Sequence, residues 1–559
     1  MENRKIAGMF ETLANALEIL GENQFKIRAY RSAARTIYNL DEDVEDYWRE
    51  GRLQQIPGVG KAIQDKIGEI IETGDLRYLR DLYQRIPEEV VSMLAIPGLG
   101  PRTIGIIYQS LGITSIEDLV QAAKERKIRR LPGLGAKTEY NILKGIDLLK
   151  AAGESVTLGV VLPLADDFCS YLNEGTGIVQ AQLVGSIRRR KPVVNDVDIL
   201  VAANNQADVE KRVSNYRSLK QVTEIEPDVI RGQMGPGFRF EVITVKPGDF
   251  PLAFLLATGS KEHRQVLLEL MAESGLTAGE SEKDIYNKLG LEWIPPELRE
   301  NRGEIDMARN NALPHLVDVP DIKGDLHIHT DWSDGAQNLE QMVETARALG
   351  YSYIAITEHS KSLAISRGLN EERLKRQTEY IKELNTRMKD FTVLTGIEVD
   401  ILKDGSLDLP DDILKDLDVV IASIHSHFPL SQEEQTGRII SAIRNPQVDI
   451  IGHLTGRLLN RRPGYQVDVD KVLEEAAKNQ TALEINAHPD RLDVSEENAR
   501  KAREQGVKII INSDAHHAGD MLFMKYGVFN ARRGWLEVSD VLNTGTVNSI
   551  REYFGNKAR

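Results

Sequence analysis

Nine side chains able to hold a metal stand at the ends of apolar runs in the last 236 residues: His327 and His329 in DLHIHT, His359 in ITEHS, Glu398 in GIEVD, His425 in ASIHSH, His453 in IIGHL, Asp514 and His516 in NSDAH, and Asp334 in the loop WSDG. Two histidines at i and i+2 point to one side of a strand end, a frequent way to seize a transition metal. Imidazole and carboxylate together suit Mn, Zn or Fe better than Mg, and a carboxylate such as Glu398 could bridge two ions that polarise a phosphate and ionise water. No nucleophilic side chain is needed. The only cysteine, Cys169, excludes a Cys-rich zinc cluster, so a metal site must use His, Asp and Glu. A second constellation lies in GSIRRRKPVVNDVDILV, where Asp196 and Asp198 fall on one face of a strand. Paired carboxylates with a third from a neighbouring strand hold two Mg²⁺ ions for in-line phosphoryl transfer, while Ser186, Arg188 and Arg189 could receive a triphosphate.

Elements must bring these residues together. Through about residue 150 apolar positions recur three and four apart, as in Met9 to Leu20, Ile27 to Leu40 and Ala62 to Ile71, which predicts an all-α front. From Leu183 the texture turns to strands and helices, and a proline-bearing stretch over about 294–324 reads as a semi-rigid connection. Beyond it, DLHIH, YIAITEH, TVLTGIEVDI, VVIASIHSH, VDIIGHL, ALEIN and KIIINSDAH alternate with helical runs, and seven such units predict a parallel βα barrel whose strand ends share one mouth. Three turns repeat at the front: IPGVGK, IPGLGP and LPGLGA. Their glycines Gly58, Gly60, Gly98, Gly100, Gly133 and Gly135 permit tight turns that offer backbone N–H groups to a DNA phosphate without reading bases. The repeat resembles the helix-hairpin-helix family, and with the basic run KERKIRR it predicts sequence-independent DNA binding.

The GS, RR and DxD block resembles the nucleotidyltransferase palm of family X DNA polymerases such as polymerase beta. The resemblance extends forward to FKIRAYRSAARTI, similar to the family's 5′-phosphate-binding helix and carrying Lys26 and Tyr30, and to Lys66, at the place of its Schiff-base lysine. It fails where polymerisation is exacting. Glu241 stands where the family has Asp, Ile243 where it has Arg, Leu256-Ala257 where it has a Tyr-Phe pair and Asn195 where it has Gly, and after His263 the thumb is shortened. A ligand displaced by about 1 Å can cost on the order of 100-fold, so the polymerase site is expected to be impaired. The rear nine resemble the ligand set of the polymerase-and-histidinol-phosphatase, or PHP, domain of bacterial family X polymerases, which implies up to three Mn²⁺ or Zn²⁺ ions and phosphate-ester hydrolysis, with Mg²⁺ at the palm if that site works. Glu358 departs from the family's usual Asp without touching the ligand His359. His427, His488 and His517 read as core histidines, and Glu484 and Asn486 either as groups behind the ligands or as packing.

Expected boundaries are a lyase-like helical domain over 1–85, a helix-hairpin-helix fingers region over 86–150, an α+β palm over 151–245, a shortened thumb over 246–310, a linker over 311–323 and the barrel over 324–559. The chain carries 70 Lys+Arg and 85 Asp+Glu, net −15; residues 1–150 are balanced at 22 of each sign, so the acidic excess lies wholly behind them and a polyanion should meet the front. With 41% hydrophobic residues and no long apolar run, the composition predicts a soluble, intracellular protein without membrane contact; a cytoplasmic, nucleoid-associated monomer is the accompanying expectation. The leading expectation is a DNA-repair enzyme that trims 3′ ends of gapped or nicked DNA by metal-dependent hydrolysis. Alternatives are a protein that also fills gaps with deoxynucleoside triphosphates, a silent DNA-binding scaffold, and a small-molecule phosphatase.

Overall fold

The computed structural model describes residues 3–38, 40, 42–74, 76–96, 99–151, 155–235 and 237–555. The chain divides into two compact units, Met1–Gly153 with Gly235–Gly237, and Glu154–Met234 with Phe238–Arg559. Among the described residues no helix is long and apolar enough to cross a membrane.

The described residues between 3 and 151 form helices joined by turns, as the 3.6-residue periodicity requires. One hydrophobic core runs from Ile6 to Ile146, so the boundary expected near residue 85 does not divide it. Gly105 explains how the two halves meet: a Cβ there would lie 2.8 Å from the carbonyl oxygen of Ile19. In each repeated turn the apolar residues anchor the loop, Ile56 and Val59 in the first and Ile96 and Leu99 in the second being buried, while Gly58, Gly60 and Gly100 face solvent.

Among the described residues the second unit holds two large sheets and a short antiparallel pairing of Val156–Thr157 with Val193–Val194. The palm sheet comprises β1 (Ile178–Leu183), β2 (Val197–Ala203), β3 (Leu219–Glu226), β4 (Val229–Met234) and β5 (Phe238–Val245), in the order β1-β2-β5-β4-β3. Parallel pairing of β2 with β5 sets Asp198 beside Glu241. The segment GSIR forms a helical turn over Gly185–Arg188, and Gly185 (φ +61) allows it to pass over Asp198, where a Cβ would lie 2.1 Å from Oδ2. The rear sheet comprises β6 (Gly324–Asp325), β7 (Tyr353–Ile356), β8 (Thr392–Asp400), β9 (Val419–Ser423), β10 (Ile450–Ile451), β11 (Ala482–Asn486) and β12 (Ile509–Asn512), all parallel and paired in chain order. A parallel bridge from Ile328 to Ala515 joins first to last and nearly closes the barrel, the fold class expected from seven βα units.

The stretch read as a semi-rigid connection is a packed element instead. Ile294, Leu298, Ile305, Ala308, Val317 and Ile322 are buried, and the first four share a core with Trp535. Prolines there bend the chain into turns rather than stiffening a free linker. Arg533, 1% exposed, binds Glu300 (3.0 Å) and Glu496 (3.1 Å) and donates to the Arg189 carbonyl (2.8 Å), so palm, thumb and barrel share one buried ion network. Removing one partner strands buried carboxylates: Arg533→Ala should cost about 3–5 kcal/mol, read as a lower denaturation midpoint of the rear unit, and an unchanged midpoint would show the network to be energetically neutral.

Candidate metal centre

β8 carries Glu398 to the barrel mouth with its side chain 1% exposed. Its neighbours arrive from other strand ends because in a parallel barrel every C-terminal end opens on one side. His359 Nδ1 lies 2.6 Å and His329 Nε2 3.7 Å from Glu398 Oε2, while His453 Nε2 (3.0 Å), His425 Nε2 (3.3 Å) and His327 Nε2 (3.5 Å) surround Oε1. Asp514 Oδ1 lies 3.2 Å from His329 Nε2 and 3.6 Å from His327 Nε2. Asp334 meets His516 Nε2 at 3.4 Å and His359 Nε2 at 3.7 Å. All nine residues singled out in the sequence thus lie in one cluster.

Within it, three overlapping groups bring their ligand atoms within 4.8 Å of one another: His329, Asp334, His359 and His516; His327, His329 and Asp514; and His359, Glu398 and His425. Among the described residues the buried Nε2 atoms of His327 and His329 have no hydrogen-bond partner. Buried polar atoms of that kind are costly unless something binds them, and an imidazole-rich donor set with shared carboxylates fits transition-metal ions.

Residues behind the cluster fix its orientation. His327 Nδ1 donates to Glu484 Oε1 (2.6 Å), which also accepts from Asn512 Nδ2 (3.0 Å), and the other Glu484 oxygen takes the His453 amide (2.9 Å). Asn486 Nδ2 donates to Asp514 Oδ2 (2.9 Å). Asp400, which the sequence reading passed over, accepts from His425 Nδ1 at 2.9 Å; its signal was its place two residues after Glu398, on the same strand face. Arg491, also passed over, brings Nε to 3.8 Å from Asp514 Oδ2. Glu358 accepts from the Thr330 amide (3.1 Å), both the Thr330 and Ser333 hydroxyls, and Gln377 (3.1 Å), so it shapes the loop that carries Asp334. His427 is exposed and His517 half-exposed, capping a helical turn, which corrects their reading as core; His488 is half-buried against Phe523.

The electrostatics are those of a cation site. Burial opposes ionisation of Glu398, but His425, His359 and His327 hold its pKa well below the carboxylate range. Burial likewise opposes a charge on His327, yet Glu484, Asp514 and Glu398 raise its pKa well above the usual value. His329, buried and beside His516 and His359, is pushed down to about 3.

The palm differs. A cavity of about 380 Å³ is lined by Ser186, Arg189, Lys191, Asn195, Asp196, Asp198, Ala257, Ser260 and Lys261. Burial beside Asp196 and Glu241 pushes the Asp198 carboxyl up to about 7 despite Arg189. Glu241 is bound by Arg231 (Nε to Oε2, 2.6 Å), whose guanidinium also holds Glu224 (2.8 Å) and Glu226 (2.9 Å), and the three palm carboxylates are not among the close ligand groups of the described residues. Arg188 corrects an expectation: it is not on the cavity wall, because its guanidinium makes two bonds to Glu282 (2.8 and 2.7 Å), one to Thr258 (2.5 Å), and stacks on Phe254 (3.6 Å). Arg189 lines the cavity while bound to Glu300 (2.9 Å) and the Thr258 carbonyl (2.7 Å).

At the front, Gly60 and Gly100 are the N-caps of the helices Lys61–Thr73 and Pro101–Leu111, with no side-chain cap among the described residues. Gly58 and Gly133 take φ +81 and +78 in their turns, Gly135 is exposed, and Gly98 lies outside the described residues. Lys66 Nζ stands 5.9 Å and 5.2 Å from the ring centroids of Tyr30 and Tyr78. Lys26 is exposed, but Tyr30, expected at a DNA surface, is 8% exposed and stacked on Phe10, since its ring fills the seam between the first two helices.

Family models match in four places: a helix-hairpin-helix domain over residues 1–76, a SAM-like helix-hairpin-helix tandem over 90–147, a DNA polymerase beta thumb over 253–300 and a PHP domain over 325–488. The chain is 36% identical to the DNA polymerase/3′-5′ exonuclease PolX of Bacillus subtilis (strain 168), over 99% of each protein. Over 42% of its length the chain is 35% identical to a "probable phosphatase" of Thermoanaerobacter sp. (strain X514) and 31% identical to one of Acetivibrio thermocellus (strain ATCC 27405), covering 95% of each.

Replacing the group that orients His327 should loosen the cluster without emptying it. Glu484→Gln should lower metal affinity about 10–100-fold, measured by competition with a chromogenic chelator.

Proposed function

The chain belongs to the family of the DNA polymerase/3′-5′ exonuclease PolX, a premise from which we propose that its barrel trims DNA 3′ ends by metal-dependent phosphodiester hydrolysis at gaps or nicks, ahead of an impaired polymerase palm. The observation that carries this reading is the convergence of nine ligand-type side chains around one buried carboxylate, Glu398. His327, His329, Asp334, His359, Glu398, His425, His453, Asp514 and His516 would hold the ions, with Mn²⁺ or Zn²⁺ as the expected metals. When bound, such ions polarise a phosphoryl oxygen and lower the pKa of water. The protein's own part is to orient: Glu484 and Asp400 tie the Nδ1 atoms of His327 and His425, which turns both Nε2 atoms toward Glu398.

The remaining assignments follow the domains. The limits 1–85, 86–150, 151–245, 246–310, 311–323 and 324–559 are taken as sequence modules, although packing joins several of them. The exposed turns at Gly58, Gly60, Gly100, Gly133 and Gly135, with Lys26, would bind the backbone of gapped or nicked duplex. Lys66, flanked by Tyr30 and Tyr78, is the candidate Schiff-base lysine, and borohydride should trap a 5′-deoxyribose-phosphate end on it but not on Lys66→Ala. The protein acts as a monomer in the cytoplasm, at the nucleoid.

A second reading, in which the palm also extends primers using Mg²⁺, draws on the cavity that Ser186, Arg189, Asp196 and Asp198 line. Against it stands the Arg231–Glu241 pair, which neutralises the third carboxylate. A 5′-labelled gapped duplex incubated with Mn²⁺, with and without nucleotides, scores shortening and lengthening together. Asp514→Asn or His327→Ala should abolish shortening while DNA binding remains; full activity in both would refute the barrel assignment. Glu241→Asp should increase extension if the rest of the palm is competent, and a lack of gain would implicate Leu256-Ala257 or the shortened thumb.

A further inference from the structure

A cavity of about 450 Å³ opens in the thumb and shares no lining residue with the palm cavity or the metal cluster; its size lies in the range of roughly 300–1,000 Å³ that small ligands occupy. The segment SEKDIYNKLGLEW builds most of it. Lys283 and Asn287 stand one turn apart on the helix Glu282–Lys288, which Gly290 (φ +72) ends in a left-handed turn. The chain then returns along the cavity as Leu291, Glu292 and Trp293, fixed by the bond from the Glu292 amide to the Ala308 carbonyl (3.0 Å), and Asn311 (φ +51) completes the wall. Leu291 is buried, Glu292 and Trp293 are half-buried, and Lys283, Asn287 and Asn311 are exposed. Among the described residues Glu292 Oε2 is sealed from solvent without a hydrogen-bond partner, Lys283 has no ion pair, and the side-chain amides of Asn287 and Asn311 make no hydrogen bond. A carboxylate that has lost water without gaining a donor is costly, and N–H groups of a ligand would relieve it.

We infer that this cavity binds a free guanine nucleotide. Guanine presents two adjacent donors, N1–H and the N2 amino group, to a single carboxylate, whereas adenine carries an acceptor at N1 and offers no such pair. Its O6 and N7 accept from amides such as those of Asn287 and Asn311. Trp293 supplies an aromatic surface for the ring, and Lys283 a point charge for the phosphate. An inorganic anion would meet Lys283 but be repelled by Glu292, and a simple amine the reverse. In duplex DNA the N1–H and N2 groups are committed to cytosine, so the site suits the free nucleotide. Lys283 adjoins Glu282, the partner of Arg188 and Arg299, which places the ligand on the helix that fixes the palm floor.

Calorimetric titration of the full chain with GMP, AMP and guanosine, without added metal, tests the site. GMP should bind, and AMP at least about 10-fold more weakly, since a site built around a donor pair rejects the base that lacks it. Glu292→Gln should weaken GMP by about 10-fold or more and narrow its margin over AMP, with the melting temperature unchanged. Lys283→Ala, at an exposed position that folding does not depend on, should weaken GMP while leaving guanosine as it was. No GMP binding, equal affinities for GMP and AMP, or GMP affinity unchanged in Lys283→Ala would each overturn the site. So would GMP affinity unchanged in a folded Glu292→Gln, the result expected if the nucleotide enters the palm or the barrel instead. If Glu292→Gln fails to fold, the comparison of GMP with guanosine in Lys283→Ala decides.

Discussion

A carboxylate buried at the centre of a barrel mouth is the constraint on which the rear of this molecule is built. Glu398 has almost no contact with solvent, and an isolated carboxylate in that position would protonate rather than remain charged. It stays ionised because imidazoles from five other positions close around it. Two of those imidazoles, His327 and His425, have acceptors for their far nitrogens, which Glu484 and Asp400 provide. The result is a set of nested polar shells inside an apolar barrel. Each shell keeps the next in one orientation, which is what a multi-ion site demands of its protein.

The palm is held by the same physics put to another use. Arg188 and Arg189 follow a glycine turn that passes over Asp198, where an anionic substrate would be met, yet both guanidiniums are committed to thumb carboxylates, Arg188 to Glu282 and Arg189 to Glu300. Glu300 is shared with Arg533 of the barrel, so the floor of the palm cavity and the wall of the barrel are parts of one charge network. Buried ion pairs of this kind specify one arrangement more than they add stability, since desolvation offsets most of their attraction. Arg231 on Glu241 carries the same trend to the third carboxylate.

Much of this could be read along the chain. The alternation that sets His327 and His329 on one side, the seven apolar runs each ending in a polar residue, and the three glycine turns between helices are local patterns, and local patterns survive without knowledge of partners. The parallel barrel followed from them because short strands alternating with helices have few other ways to bury their apolar faces. Residues 294–324 were harder, since proline marks a bend but not what packs against it, and Trp535 lies far along the chain.

Sequence by itself therefore determined the residue types of the metal cluster, the strand ends that carry them and the helical turns at the front, all fixed by periodicities of two or about 3.6 residues. Tertiary structure alone decided which charged groups are spoken for: that Arg188 belongs to Glu282 and Glu241 to Arg231, that Tyr30 is buried, and that Asp400 and Arg491 join the barrel mouth. The reason is that a charge is claimed by whichever partner the fold brings within a few ångströms, and chain proximity carries no record of that distance.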